Sequence, residues 1–384
     1  MLKEIELIKR GVVDLISEEE LVKKIKEKKS LRVKFGADPT APDIHLGHVV
    51  VLKKLRQFQD LGHTVYFIIG DFTAMIGDPS GRSQTRPILS KKEIDENAKT
   101  YERQIFKVLR KEKTVIVRNS EWFLKMDVRE LLKLISTYTV SKMLEREDFK
   151  NRYKNGLPIS ILEFIYPLLQ GYDSVYLKAD VEIGGEDQIF NLLTAREIQR
   201  AYGVEEQVVL TLPLLEGTDG VKKMSKSLGN YIGIDEDAID IFGKLMSIPD
   251  SLLEKYITLL TNMKYDEKKH PKELKKELAF CITEEFKGKG EAIKAKEHFE
   301  RVFEKREIPD ELEEKIIEEG KYDIAELLFK IKAVPSKSEA KRIITQGGVK
   351  IDGRTVESFK EEIEVKDGII LKVGKRKFYK LKVI

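Results

Sequence analysis

Cysteine is almost absent: Cys281 is the only one in 384 residues. A disulfide framework is therefore excluded, and the composition fits a reducing compartment. No run is long and apolar enough to span a bilayer, and Met1-Leu-Lys-Glu does not read as a signal peptide, so a cytoplasmic protein with no membrane partner is expected. No G-x-G-x-x-G follows a strand pattern, which argues against a dinucleotide enzyme, and no glycine-rich stretch ends in Gly-Lys-Ser/Thr, which excludes a P-loop. H-E-x-x-H is missing too. With five histidines and one cysteine, no metal site is expected.

Charge, by contrast, is plentiful at 35% of residues, beside an ordinary 41% hydrophobic. The length suits two or three domains rather than one core. Abundant lysine and glutamate would suit a heat-loving source. The net charge of +4 hides an asymmetry: from Ile331 onward there are fourteen Lys/Arg against seven Asp/Glu. A small basic domain on a nearly neutral body points to a polyanion partner, with a solvated basic surface as the plain alternative.

The most informative stretch is Lys34-Phe-Gly-Ala-Asp-Pro-Thr-Ala-Pro-Asp-Ile-His-Leu-Gly-His48. Leu31, Val33 and Phe35 alternate with Arg32 and Lys34, the period-two pattern of a strand. Pro39 and Pro42 break it. From Gly47 to about Leu61 the period is helical, and Gly62 ends it. His45 and His48 thus sit at a helix N-terminus, where unpaired N–H groups favour phosphate. A metal pair or two structural histidines are the alternatives. Gly47 lets a large flat group approach the backbone between the rings.

Charged helices occupy residues 1–30. Thr64–Gly70 reads as a strand buried on both faces, and Thr114–Val117 and Gln207–Thr211 as further strands. Helical patterns at Ile94–Leu109, Arg129–Leu144 and Gln188–Ala201 intervene. The fold class is therefore α/β, a doubly wound parallel-sheet (Rossmann-like) catalytic domain with its ligand at the strand carboxyl ends. Asp71–Arg82 is a turn-rich loop at that edge. Glu216–Asn230 carries Lys222, Lys223 and Lys226 between glycines, either a flap of ammonium groups or a basic surface turn. Charged helices fill 235–319. The tail holds helices to Ile344 and then short strands. The expected domains are 1–232, with an inserted helical region at about 75–160 and the flap at 217–230; a helical domain at 233–322; and a small α+β domain at 325–384. Tyr166, Gln170 and Asp173, spaced by four and three, share one helical face.

Together, His45-Leu-Gly-His48 and Lys223-Met-Ser-Lys-Ser227 resemble the two signatures of class I aminoacyl-tRNA synthetases. Gly77-Asp-Pro-Ser-Gly81, Tyr166–Asp173, Gly184-Gly-Glu-Asp-Gln188 and the tail run Ser336–Gly348 extend the resemblance over the whole chain, to the bacterial tyrosine-specific branch. The resemblance implies that tyrosine is activated by ATP, with Mg2+, and passed to tRNA(Tyr) by a cytoplasmic homodimer. It implies that His45, His48, Lys223, Lys226, Arg82 and Arg86 stabilise the reacting phosphates. Gly36, Asp38, Gly47, Gly185 and Asp187 would hold the nucleotide. Tyr166, Gln170 and Asp78 would hold the α-amino group, Asp173 the phenol, with Thr73 and Gln188 beside them. Helices at 235–320 would meet the anticodon region, and helical residues near Thr137–Leu144 the second subunit.

Two positions depart from that pattern. Many relatives carry a tyrosine at the position of Lys34, which helps read the phenol, so Asp173 needs another partner here. Phe35 replaces a small thiol, so a ribose contact there falls to the backbone. The sister enzyme for tryptophan is the nearest rival, since an aspartate accepts from an indole N–H as readily as from a phenol. A smaller nucleotidyltransferase with the same histidine clamp, or an RNA-binding protein with an inactive body, are the others. Retention of both histidines, both flap lysines and Asp173 argues against the last.

Overall fold

The computed structural model describes residues 2–39, 43–80, 90–304, 312–374 and 377–384. The chain divides into two units, Met1–Lys289 and Gly290–Ile384. Six strands form the sheet of the first: β1 (Leu15–Ile16), β2 (Arg32–Ala37), β3 (Thr64–Ile69), β4 (Thr114–Arg118), β5 (Val181–Gly185) and β6 (Val208–Leu212). Their spatial order is β1-β6-β5-β2-β3-β4, with every pairing parallel except the antiparallel edge strand β1. Helices cover such a sheet on both faces, so its strands must be apolar on both sides. β6 is buried throughout, and Val65, Phe67, Ile68 and Ile69 of β3 are buried as well.

Strand order reverses beside β2, and ligands in such sheets bind in the crevice at the carboxyl ends where it does. Here the crevice has a backbone origin. β2 and β5 pair only at Val33 with Val181 and Lys34 with Glu182. Beyond that pair, Gly36 on one strand and Gly184-Gly185 on the other edge an opening. The helix Leu46–Asp60 follows β2 and the helix Ile189–Ala201 follows β5.

Lys34 belongs to the polar half of the alternation, and its side chain is buried, with 1% exposed. A central parallel strand has no solvent face, so the ammonium is answered inside the protein. It meets Glu182 at 2.8 Å, the Ser174 hydroxyl at 2.7 Å and the Gln170 carbonyl at 2.9 Å. β5 escapes the sequence pattern because Glu182 and two glycines interrupt its apolar run. Region 75–160 is not purely helical, since β4 lies within it. The pattern at Arg129–Leu144 is two helices, Val128–Ser136 and Val140–Met143, the second capped by Thr139, whose hydroxyl accepts from the Lys142 N–H.

The helices Ala238–Ser247, Leu253–Leu260 and Pro271–Lys287 belong to the first unit. They are fastened to it by Tyr256, which donates to the Glu216 carbonyl at 2.6 Å, and by Lys53 with Glu285 at 2.6 Å. In the second unit β7 (Glu313–Ile317) and β8 (Gly320–Asp323) precede the helices Ile324–Lys330 and Lys337–Thr345. Then come β9 (Val349–Ile351), β10 (Arg354–Thr355), β11 (Glu362–Val365), β12 (Ile370–Val373) and β13 (Lys377–Val383). They form a five-stranded sheet, β10-β9-β12-β13-β7, and the pair β11-β8. The expectation of helix through 322 therefore fails at 313–323. Glu313-Glu-Lys-Ile-Ile is charged enough to read as helix, yet it is held as a strand by parallel pairing with β13, far along the chain. Ile324, Leu327, Leu328, Val349, Leu371 and Leu381 fill this unit's core.

Candidate active site

The opening between β2 and β5 continues into a cleft of about 570 Å³ in the first unit. Its rim begins at His45, which caps the helix Leu46–Asp60. The His45 Nδ1 accepts from the Gly47 N–H at 3.2 Å, and the His48 Nδ1 accepts from the His45 N–H at 3.3 Å. With both Nδ1 atoms acting as acceptors, Nε2 is the protonated nitrogen of each neutral ring. The ring centroids lie 4.0 Å apart. Burial, above all, lowers the His45 pKa to about 2 and that of His48 to about 4, with His48 and Lys223 acting on the first ring and Lys223 on the second. These are neutral N–H donors at physiological pH, not cations. Gly47 lets the His45 ring sit close: a Cβ would stand 3.0 Å from it, a tight contact.

The lysine loop crosses the same rim. Lys223 pairs with Asp187 at 2.6 Å, and Lys226 pairs with Asp43. Asn230 holds the loop's shape: its Oδ1 accepts from the Ser225 N–H at 2.9 Å, and its Nδ2 donates to Asp219 and to the carbonyls of Lys222 and Lys223. Gly217 leaves room for that amide, because a Cβ would lie 2.3 Å from the Asn230 side chain. Just beyond the loop, the Leu46 N–H donates to Ile232 and the Ile234 N–H to Ile44, tying the lysine segment to the histidine segment. Histidines and lysines 180 positions apart thus face one space.

Deeper in, the floor is polar and largely buried. Asp38 accepts from the Thr73 hydroxyl at 2.7 Å and from the Tyr166 hydroxyl at 2.8 Å. Gly70 is obligatory beside them, since a Cβ would fall 2.1 Å from Asp38 Oδ1. Gln188 donates to Asp78 at 2.9 Å. Asn191 joins this group by donating to Gln188 at 3.0 Å and to Gln170 at 3.1 Å. On the helix Ile161–Leu177, Asp173 is buried and its Oδ1 accepts from the Trp122 indole N–H at 3.0 Å; Asn119 donates to the same carboxylate.

Most residues singled out in the sequence meet here. Gly36, Asp38, His45, Gly47, His48, Thr73, Asp78, Tyr166, Gln170, Asp173, Gly185, Asp187, Gln188, Lys223 and Lys226 all line the one cleft. Arg82 and Arg86 lie outside the described residues. Asp38 sits with Thr73 and Tyr166 rather than among nucleotide-side groups alone. Asp187 is the ion-pair partner of Lys223. The Asp173 carboxylate is hydrogen-bonded by Trp122 and Asn119. Those two, together with Asp43, Glu182 and Asn191, went unnoticed in the sequence. For Asn119 a signal existed: a turn residue directly after β4 belongs at the ligand edge.

Comparison with known proteins bears on this geometry. Residues 26–304 match the family described as tRNA synthetases class I (W and Y), and residues 304–381 the tyrosine–tRNA ligase SYY-like C-terminal domain. The chain is 57% identical over 385 positions to the tyrosine–tRNA ligase of Aquifex aeolicus (strain VF5), covering 99% of this chain and 98% of that one. It is 54% identical over 390 positions to that of Thermotoga maritima, covering 99% and 97%. Among solved structures, tyrosyl-tRNA synthetase complexed with L-tyrosine from Archaeoglobus fulgidus aligns with a TM-score of 0.61 at 25% identity, over 77% of this chain and 99% of that one. A C-terminally truncated mitochondrial tyrosyl-tRNA synthetase of Aspergillus nidulans shares the fold, with a TM-score of 0.66 at 23% identity over 78% and 94%.

Burial pushes the Asp173 carboxyl up to about 7, against the opposing pull of Lys34 and Trp122. A carboxyl raised above its unfolded value stabilises the fold while protonated, and that contribution is lost as pH rises from its unfolded value of 3.8 through about 7. Asp173→Asn removes this loss. Relative to the parent, its unfolding free energy is expected to gain roughly 2–3 kcal/mol between pH 5 and pH 8. Urea denaturation at the two pH values reads the difference, and a constant offset would contradict it.

Proposed function

The chain belongs to the class I tRNA synthetases, in their tyrosine–tRNA ligase branch, and from that premise we propose how its cleft divides the work. The enzyme joins tyrosine to tRNA using ATP. The tyrosine carboxylate attacks the α-phosphorus, the bond to the leaving pyrophosphate breaks, and tyrosyl-adenylate forms. Its nucleophile is already ionised, so no general base is needed. What the protein must supply is position and stabilisation of charge spreading over the phosphates.

We assign the floor to the amino acid and the rim to the nucleotide. Asp78, Gln170 and Tyr166 face the α-ammonium, with Thr73 and Gln188 adjoining, and Asp173 accepts from the phenol. Gly36, Gly47, Asp38, Gly185 and Asp187 accommodate adenosine. His45 and His48 donate Nε2–H to the phosphates, and Lys223 and Lys226 exchange their carboxylate partners for pyrophosphate oxygens. Arg82 and Arg86 are assigned to the same phosphates by their sequence motif. Trading one anion for another during reaction lets the ammonium groups favour the transition state over the ground state. Among the described residues no three acidic, imidazole or thiol groups converge on one point. We assign Mg2+ to the oxygens of the triphosphate, with no step routed through it.

The observation that carries this reading is the meeting of His45, His48, Lys223 and Lys226 around the mouth of a cleft whose floor holds Asp173. For tRNA, we assign the helices within 238–287 to the anticodon region and the basic stretch from Ile331 onward, in the second unit, to phosphates. An open groove there, lined by Phe329, Lys330, Lys332, Lys337 and Lys377, presents cations beside an aromatic ring. We also propose a homodimer. Leu124, Val128, Leu132, Val140 and Ile161 are each more than half exposed, apolar side chains that a second copy would cover. A cytoplasmic location agrees with the lone cysteine.

Amino-acid-dependent pyrophosphate exchange with all twenty amino acids is expected to respond to tyrosine alone, followed by transfer to tRNA; a response to tryptophan instead would overturn the assignment. Lys226→Ala is expected to slow adenylate formation about tenfold or more, equivalent to ~1.4 kcal/mol, with tyrosine affinity nearly unchanged. Unaltered single-turnover rates would remove the loop from the chemistry. Sedimentation at micromolar concentration is expected to give twice the chain mass of 44.3 kDa; a monomer would leave these apolar side chains without their proposed cover.

A further inference from the structure

Three ionisable side chains meet where β2 and β5 separate: Lys34, Glu182 and, on the helix covering them, Asp173. All three are buried, with 1%, 1% and 4% exposed. The Lys34 ammonium is saturated by Glu182, Ser174 and the Gln170 carbonyl. Glu182 is saturated in turn: it also accepts from Ser174 at 3.1 Å, from Gln170 at 3.4 Å and from Gln207. One cation therefore answers two buried carboxylates. Glu182 takes it by contact, while Asp173, next in the helix to the Ser174 that bonds both Lys34 and Glu182, is acted on by its charge.

A sheet does not need this arrangement for stability. Well-packed apolar residues of similar volume usually serve as well as a buried ion pair, or better. Glu182 also lines the cleft beside Gln170 and Asp173, so the pair touches the wall of the amino-acid site. We propose that Lys34 and Glu182 are positioning residues for amino-acid selection: their opposed charges beneath the floor govern whether Asp173 meets the substrate hydroxyl as a carboxylate. This rests on the preceding reading, in which Asp173 accepts from the phenol.

The groups facing Asp173 are few, so the direction of each effect is defined. Lys34 from β2 favours its ionised form, as do the hydrogen bonds of Trp122 and Asn119 from the segment after β4. Glu182 from β5 and the burial itself oppose it. Tyr166 lies on the same helix and gives its proton to a hydrogen bond with Asp38, and Asp78 stands nearby. Neither histidine of the rim titrates near neutrality.

The test is the KM for tyrosine in pyrophosphate exchange between pH 6 and 8.5, using the full chain, Lys34→Met and Glu182→Gln, with phenylalanine as comparison substrate. In the parent, KM for tyrosine falls as Asp173 ionises. Lys34→Met is expected to move that inflection alkaline by about one pH unit, raising KM at pH 7 about fivefold. Glu182→Gln is expected to move it the other way. Phenylalanine, with no hydroxyl to donate, shows no inflection in any of the three. If Lys34→Met does not fold, Glu182→Gln still decides, because an inflection unmoved or moved alkaline in that variant overturns the proposal. A parent chain with no tyrosine-dependent exchange would overturn the functional reading itself, and this proposal with it, whereas exchange with unmoved profiles would overturn the proposal alone.

Discussion

The site depends on two parallel strands that agree for two residues and then part. β2 and β5 share the pairs Val33–Val181 and Lys34–Glu182, and nothing beyond. Had the pairing continued, backbone would close the space that the cleft occupies. Each strand instead delivers its chain into a turn, and each turn into a helix whose first residues face the opening. Rim and floor follow from that divergence: the first turn supplies His45 and His48, the second Asp187 and Gln188. The last strand supplies the lysine loop. Gly70 and Gly185 belong to the same design, because side chains there would crowd the carboxylates of Asp38 and Asp187.

Electrostatics divides the cleft into two regions of different character. At the rim the imidazoles are kept neutral by burial and by Lys223, so they offer N–H groups without adding positive charge. The cations come from the loop, already resting on Asp43 and Asp187. At the floor the chain buries acids where water cannot solvate them. Such placements oppose folding, which is why Asp173 is surrounded by compensation: an indole, an amide and the ammonium of Lys34. Asn119 and Asn191 do for the floor what Asn230 does for the loop, fixing side chains that would otherwise turn.

The α/β class, the helix opened by His45 and the shared face of Tyr166, Gln170 and Asp173 were legible in the sequence, because period and spacing are local properties. So was the importance of the two lysines, through their setting among glycines. The burial of Lys34 was not, because alternation assumes one solvent face and a central parallel strand has none. β5 was hidden by Glu182, whose partner lies on another strand. β7 was hidden by its glutamates and is held by a strand from the far end of the chain. Trp122 and Asp43 acquire their roles only through contacts made across the fold, as do Asn191 and Glu182.

The central claim is that one cleft holds the amino acid at its floor and the nucleotide at its rim. A crystal structure with a non-hydrolysable tyrosyl-adenylate analogue tests it most directly. The phenol oxygen is expected within hydrogen-bonding distance of Asp173, and the phosphate-mimicking linker between the histidine pair and the lysine loop. An analogue bound with its phenol at the rim, or in any other cavity, would contradict it.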